Sequence, residues 1–442
     1  MSFFLKYYVS GGIGVNSIYN SPVYKRSRGA YTAQCAFEYL ITILVTDAFL
    51  AKLLTHMGFS DAVIGVIASL TAFSFLFQLL SIYLMAHLRN TKRTVMIFST
   101  ASQMLMMSLY LVPFIPVGVT VKTVIVVGFI LLAYICQYVI MSVHFKWANS
   151  YVDPTKRGEY SAVKEMISLV AGIVFTLIAG QLIDYYEGID NLRGGFLLIA
   201  SMMLILSICN FACLMMIKNE VRKQENGQKY ALKDVLSNTL GNRDFVNVIV
   251  MTALWEIGRY MTFGFLGTFK TSDLLLSVGT VQIINVVANL FRLAVSKPFG
   301  RYADRTSYAS AYRLALLLAA ASFVFVIFCT PKSWWCIIVF TILFNVSLAG
   351  SNQNGTNITY NYVKDEYIVQ AIAIKQSIVG VLGFGASLIG SKILEYVQQN
   401  GNTFMGMEVY GQQLLAGISL IFVIAAVVFN KAVVEKQKRM IQ

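Results

Sequence analysis

Long apolar runs separated by short polar breaks dominate the chain. A helix needs about 20 mostly apolar residues to cross the hydrocarbon layer of a membrane. Twelve segments meet or approach that length: 30–54, 61–86, 94–115, 121–146, 159–185, 194–217, 245–269, 273–297, 309–330, 333–360, 366–392 and 410–433. Unbroken runs of this kind predict helices and set aside an outer-membrane barrel, whose strands are short and alternating. Most connections are short, so helices adjacent in sequence are expected to run antiparallel side by side. One break differs. Residues 218–243 are polar and charged, and they divide the spans into two blocks of six. The expected organisation is an arm at 1–29, a six-helix bundle at 30–217, a central loop at 218–243, a second bundle at 244–433 and a tail at 434–442.

Composition agrees with the pattern. The 442 residues are 57% hydrophobic and 13% charged, with a mean hydropathy of +0.66. Soluble domains are roughly 45–50% apolar and about 25% charged, so a soluble or disordered chain is excluded. Residues 1–29 show no secretory signal, because glycines interrupt the run before any small-residue cleavage site. They end in the basic cluster Lys25, Arg26 and Arg28. The six cysteines all lie in or beside apolar runs, without metal-ligand spacing, and read as small apolar filler in a reducing environment.

The net charge of +14 would suggest nucleic acid in a soluble protein. Its placement says otherwise. With both termini in the cytoplasm, twenty-three of the 35 Lys and Arg fall in cytoplasmic segments and six on the opposite side. That asymmetry is the positive-inside signature of a multipass protein of the cytoplasmic membrane.

The two blocks repeat one another. A shift of 211 positions lays Tyr151-Val152 on Tyr362-Val363, Lys164 on Lys375, Gly172 on Gly383, Asp184 on Glu395 and Tyr185 on Tyr396. A shift of 216 lays Thr46, Phe49 and Leu50 on Thr262, Phe265 and Leu266. Such parallel repeats are related by an axis along the membrane normal.

After the eighth span the chain reads Lys297-Pro298-Phe299-Gly300-Arg301-Tyr302-Ala303-Asp304-Arg305. This resembles the glycine–aspartate–basic signature loop of the major facilitator superfamily of transporters, bacterial type. Gly300 fits the turn position, and Asp304-Arg305 the acidic–basic pair. Ser307 and Tyr308 depart from the pattern, as do Met85 and Arg89 in the equivalent first-half loop. The resemblance implies an all-α membrane fold of twelve transmembrane helices in two pseudo-symmetric six-helix bundles. It also implies a gating role for Asp304, partnered by Arg301 and Arg305. Helices 1, 4, 7 and 10 would line the central path, with 2, 5, 8 and 11 completing its walls. The turn 153–158, with Pro154 and Gly158, also fits this family. The fifth span has Gly172 and Gly180 but no proline, which counts against a drug/proton antiporter.

Ionisable groups inside a bilayer are costly and mark function by default. Glu256 and Arg259 stand i, i+3 on the seventh span, flanked by Trp255 and Tyr260, and can pair. The readings are a proton-coupling group or a structural ion pair. Glu38 on the first span is a second coupling candidate. Lys375 is a candidate for substrate contact, whereas a snorkelling stem would also explain it. The tenth span is rich in amides, and Asn345 and Asn352 share one of its faces two turns apart. Tyr134, Gln137 and Tyr138 follow helical spacing on the fourth span, and Asn285 and Asn289 on the eighth. These amides either line a wet cavity or bond helix to helix.

No catalytic constellation, cofactor motif, metal set or phosphate loop is visible. The expected activity is secondary active transport of a small polar or amphiphilic organic solute, by alternating access and with protons as a coupling candidate. Lys375 and Arg259 lean toward an anion; the amides and aromatics lean toward a sugar or nucleoside. An exporter of drugs or lipids and a non-transporting multipass protein are the alternatives. A monomer without cofactor or nucleic-acid partner is expected.

Overall fold

A computed structural model describes residues 21–81, 90–152, 157–218, 239–363, 367–404 and 407–437. The first half is built from α1 to α6. Helix α1 runs Pro22–Leu44 and resumes as Asp47–His56 after a break at Val45 and Thr46. It is followed by α2 (Asp61–Ser74, continued by a 3-10 turn at Phe75–Phe77), α3 (Thr91–Ser108), α4 (Val119–Asn149), α5 (Arg157–Gly188) and α6 (Leu192–Met216). The second half repeats the order with α7 (Arg243–Phe263), α8 (Val278–Arg305), α9 (Tyr308–Ile327), α10 (Trp335–Asn357), α11 (Ile368–Gln399) and α12 (Gly411–Ala432). A two-residue hairpin, β1 (Thr403–Phe404) with β2 (Met407–Glu408), joins α11 to α12.

Ten of these helices are long and apolar enough to cross a membrane. The other two are α1 and α7, the equivalent first helices of the halves. Both carry several charges: Lys25, Arg26, Arg28 and Glu38 on α1, and Arg243, Asp244, Glu256 and Arg259 on α7. Helix starts are punctuated by polar side chains that accept orphan amide protons. Ser21 accepts from the Tyr24 amide, Asn191 from Gly194, Asn242 from Asp244 and Phe245, and Ser307 from Ser310.

The boundaries differ from the hydropathy pattern where helices outrun the hydrocarbon. Helix α1 starts at Pro22, so the basic cluster of the expected arm lies on its first turns, and the Arg28 guanidinium donates to the Tyr151 carbonyl at 3.1 Å. Helix α7 ends at Phe263, and a helical turn (Leu266–Thr268) and a π turn (Phe269–Asp273) lead to α8. Helix α8 continues to Arg305 through Pro298. Most of the expected central loop, and the turns at 82–89 and 153–156, lie outside the described residues.

The repeat is visible in packing. The Tyr151 hydroxyl donates to the Lys218 carbonyl beyond α6, and the Tyr362 hydroxyl donates to the Val434 carbonyl beyond α12. Donors are related by the shift of 211 and acceptors by 216. Gly172 on α5 leaves room for the Tyr39 ring of α1, as Gly383 on α11 does for the Tyr260 ring of α7. Each half has an apolar core, and that of the first half also takes in Val278 and Val281 of α8.

The halves meet along a seam that runs from mid-membrane to the end away from the chain termini, the far end. There α2 packs on α11 and α5 on α8. Glycines let backbones touch, as small residues do between membrane helices. A Cβ on Gly264 would stand 2.5 Å from the Gly65 carbonyl oxygen and 2.7 Å from Ser69 Oγ, and one on Gly380 would collide with the Ala72 carbonyl. Gly264→Ala is therefore expected to force the far end apart while each six-helix core stays intact. Measured by accessibility of a far-end cysteine to a water-soluble thiol reagent, labelling should rise several-fold with little change in the helical circular-dichroism signal.

Candidate functional site

Two polar nodes lie inside the bundle, one in each half. In the first, both carboxylate oxygens of Glu38 on α1 are held by amides. Gln34 donates at 2.8 Å and Gln137 of α4 at 3.0 Å. Beside it Lys164 of α5 donates to the Tyr31 hydroxyl at 3.4 Å and sits 4.7 Å from the centroid of that ring. His144 of α4 stands edge-on to Tyr31, with its Nε2 buried and without a partner.

In the second node, Glu256 and Arg259 pair on α7 at 3.4 Å, with side chains 17% and 21% exposed. The guanidinium lies 5.2 Å from the Tyr260 ring centroid and 5.3 Å from that of Phe263. Cation–π contact of this kind adds to the ion pair and fixes the plane of the arginine. Lys375 of α11 is 2% exposed and lies within electrostatic reach of Glu256. Its ammonium donates to the Gly355 carbonyl and, at 3.2 Å, to Thr359 Oγ1, where α10 tightens into a 3-10 turn.

The nodes face each other through aromatic side chains. Tyr134 and Tyr138 of α4 stack at 6.2 Å, and Tyr138 meets the Phe75 ring edge-on at 4.8 Å. Tyr138 lies within electrostatic reach of both Arg259 and Tyr260 across the seam. Phe73 of α2 packs on Phe384 of α11 at 5.2 Å. Of the sequence candidates, Glu38, Tyr134, Gln137, Tyr138, Glu256 and Arg259 thus surround one mid-membrane region.

Others belong elsewhere. Trp255 is 2% exposed and stacks on Phe344 within the second core, because α7 turns that face toward α9 and α10. Lys375 neither snorkels nor reaches open space; it caps α10. Asn285 donates to Asp47 at 2.9 Å in the far-end seam, while Asn289, one turn on, is half-buried. Asn345 donates back to the Thr341 carbonyl of its own helix at 2.9 Å, and Asn352 is exposed. The expected gating loop is helix: Gly300, Arg301, Asp304 and Arg305 fall in the last turns of α8, and the chain turns only at Thr306. The three charged side chains are exposed there, and Gly300 occupies no turn. Proline fixes a helix-compatible φ, and the helix runs through Pro298 without ending there.

Sequence reasoning missed Gln34, Tyr31 and His144 as a cluster. Gln34 at i−4 from Glu38 was the available signal, since that spacing allows a bond on one helix face. It also missed the charged seam, where Lys270, at the far end of the α7–α8 turn, donates to both oxygens of Asp47 at 3.0 and 3.1 Å. Asp47 sits at positive φ at the break in α1, a conformation that aspartate tolerates better than most residues.

The family model described as Major Facilitator Superfamily matches residues 32–384. Among solved structures, a point mutant of the nucleoside transporter NupG superposes with a TM-score of 0.72 at 12% identity, covering 92% of this chain and 99% of that one. A bacterial homolog of the human lysosomal transporter Spinster, in an inward-facing and unoccupied conformation, gives 0.65 at 15% identity, covering 94% and 97%. A D-xylose–proton symporter gives 0.68 at 11%, covering 94% and 99%. No curated protein sequence matches the chain significantly.

The position of Lys375 can be tested by stability. Lys375→Met removes the ammonium from its two oxygen partners and leaves the buried Gly355 carbonyl without that donor, a loss of about 1–3 kcal/mol for a buried unsatisfied group. A lowered melting temperature in detergent is expected. Lys164→Met, at a half-buried site, should lower it less.

Proposed function

Because the chain belongs to the major facilitator superfamily, we propose that it is a secondary transporter in which the two six-helix halves rock about the seam and expose the mid-membrane region to each side in turn. The near end, which carries the described chain termini, is the cytoplasmic one by the Lys and Arg distribution. With the seam closed at the far end, this conformation is then the inward-facing one.

The solute is uncharged, polar and ring- or hydroxyl-bearing, of sugar or nucleoside type. One observation carries this: the cations of the region are already engaged by groups of the protein itself. Arg259 is committed to Glu256, and Lys375 to the α10 backbone. Little net positive charge is left to recognise an anion. Where the two nodes meet stand tyrosines from both halves, Tyr134 and Tyr138 of α4 and Tyr260 of α7, with the Gln137 amide on the α4 side. Aromatic faces with a few placed hydrogen-bonding groups suit a planar or pyranose-like solute. The names of two fold neighbours, a nucleoside transporter and a D-xylose–proton symporter, are compatible with that class. Glu256 and Glu38 are the coupling carboxylates of this reading, since either can take a proton where a second charge is costly.

A thermal-stability screen over sugars, nucleosides, organic anions and peptides tests the solute class. Stabilisation by an uncharged sugar or nucleoside is expected; stabilisation by anions alone overturns it. With a hit in hand, Tyr138→Ala should lower uptake about tenfold, the equivalent of about 1.4 kcal/mol of binding. Glu256→Gln should abolish accumulation against a gradient while leaving downhill exchange. Full accumulation by that variant would remove Glu256 from coupling.

A further inference from the structure

A buried polar layer in the first half has no counterpart at the same register of the second. Helix α6 packs on both α1 and α3. Ala30, Val95 and Leu214 share one apolar cluster toward the near end, and Ile41, Met106 and Met203 share another toward the far end. Between them the buried positions of α3 and α6 are polar. Ser99 and then Gln103 follow Val95 on α3, and Asn210 and then Ser207 precede Leu214 on α6. The Asn210 amide donates to Ser99 Oγ at 3.4 Å, and Ser207 donates to the Met203 carbonyl of its own helix at 2.8 Å. Three atoms are left over. Gln103 Nε2, Gln103 Oε1 and Asn210 Oδ1 are buried without a hydrogen-bond partner, on residues 3% and 0% exposed.

The frame does not ask for them. A shift of 216, which also lays Lys218 on Val434, places Ser99, Gln103, Ser207 and Asn210 on Ala315, Ala319, Val423 and Ala426 of α9 and α12. Those four are fully buried, so the second half closes the same layer with hydrocarbon alone. An amide in such a place costs free energy unless something meets it. Nearly all buried polar groups are met, by protein or by ordered water.

We propose that the α3–α6 layer is a water-binding site, in which ordered water is held by both ends of the Gln103 amide and by Asn210 Oδ1. The donor set selects the ligand. A cation would satisfy the two carbonyl oxygens and leave Nε2, which donates; an anion would satisfy Nε2 and leave the oxygens. Water both donates and accepts, as the mixed set requires. Turning the Gln103 amide over changes nothing, since both of its atoms need a partner. A buried water makes about three hydrogen bonds to polar groups that protein leaves unmet. On α1, Gln34 is buried on the face that carries Ala30 and Ile41, and it donates to Glu38 at 2.8 Å. The helix register therefore sets the water layer behind the Glu38 node, as a polar backing for that carboxylate inside hydrocarbon.

The site rests on no part of the transport reading, and its failure would leave that reading in place. X-ray radiolysis of the full-length protein in lipid nanodiscs tests it. Radicals made from bulk water oxidise exposed side chains, whereas a radical made from a bound water oxidises the buried side chain beside it. Met106 and Met203 are buried one turn from Gln103 and Ser207, and Met251 is equally shielded in the second core. Mass spectrometry should find Met106 and Met203 gaining an oxygen several times faster than Met251. Gln103→Leu should bring both down toward the Met251 rate and lower the melting temperature, because the water and Asn210 lose a partner. In a dry layer the same substitution would remove two unmet polar atoms and raise the melting temperature. Met106 and Met203 as slow as Met251, oxidation unchanged by Gln103→Leu, or a raised melting temperature each overturns the site. The wild-type comparison decides even where Gln103→Leu does not fold.

Discussion

A charge placed in hydrocarbon must be met by another polar group, and that requirement organises this molecule. Insertion scales put an unpaired Asp, Lys or Arg at mid-helix about 3 kcal/mol uphill, and the central charges have partners. Glu38 takes two glutamine amides, Glu256 a guanidinium, and Lys375 a carbonyl freed where α10 tightens. The partners come from other helices or from the interior face of the same one, so charge marks the inside of the bundle. The two helices least suited to lipid, α1 and α7, are the two that bring a carboxylate to its centre.

The same requirement explains why the seam can open. Interlocking side chains would hold two helix bundles in one arrangement. Here that interlock is small, with Ala62 packed among Phe265 and Ala386 and Phe73 on Phe384, and the rest of the seam is glycine-backed backbone contact and polar ties at the far end, including Lys270 with Asp47, Gln398 with Asp61 and the Gly279 amide with Asp184. Each tie has a partner that water can replace once the end opens. Lys270 is buried in the closed arrangement, so opening the end has to hydrate its ammonium as the tie to Asp47 breaks. Under the transport reading, a joint made this way would allow two arrangements with modest free energy between them, as a carrier needs.

The all-helical membrane fold, with twelve main helices of which ten are long and apolar enough to span, was legible in the sequence, because hydropathy reads directly what lipid selects. Helix ends were not. Pro22 and Arg305 lie beyond the hydrocarbon, where hydropathy carries no information. The central site was half legible. Spacing put Glu256 with Arg259 and Tyr134 with Tyr138 on common faces, and the structure keeps those pairs. Spacing fixes a face without naming what stands opposite. Trp255 therefore turned out to fill a core, Asn285 to serve the far-end seam through Asp47, and Lys375 to cap a neighbouring helix. The Asp47–Lys270 tie joins residues more than two hundred positions apart, and no local pattern announces it.

Repetition and its lapses have different physical meanings. The tyrosine after α4 and its counterpart after α10 reach the chain just beyond α6 and α12, and a glycine on α5 and on α11 receives a tyrosine from the first helix of its half. These are frame contacts, and equal frames let two halves tilt about a common axis. The polar nodes repeat a lysine, Lys164 in the first and Lys375 in the second, and differ in the rest: the first holds a carboxylate among amides, the second an ion pair. A bundle symmetric in both respects would offer the same chemistry to either side of the seam and could not orient an asymmetric solute. Under the transport reading, shared shape with divided chemistry would let one motion present a fixed, directional site to both faces of the membrane.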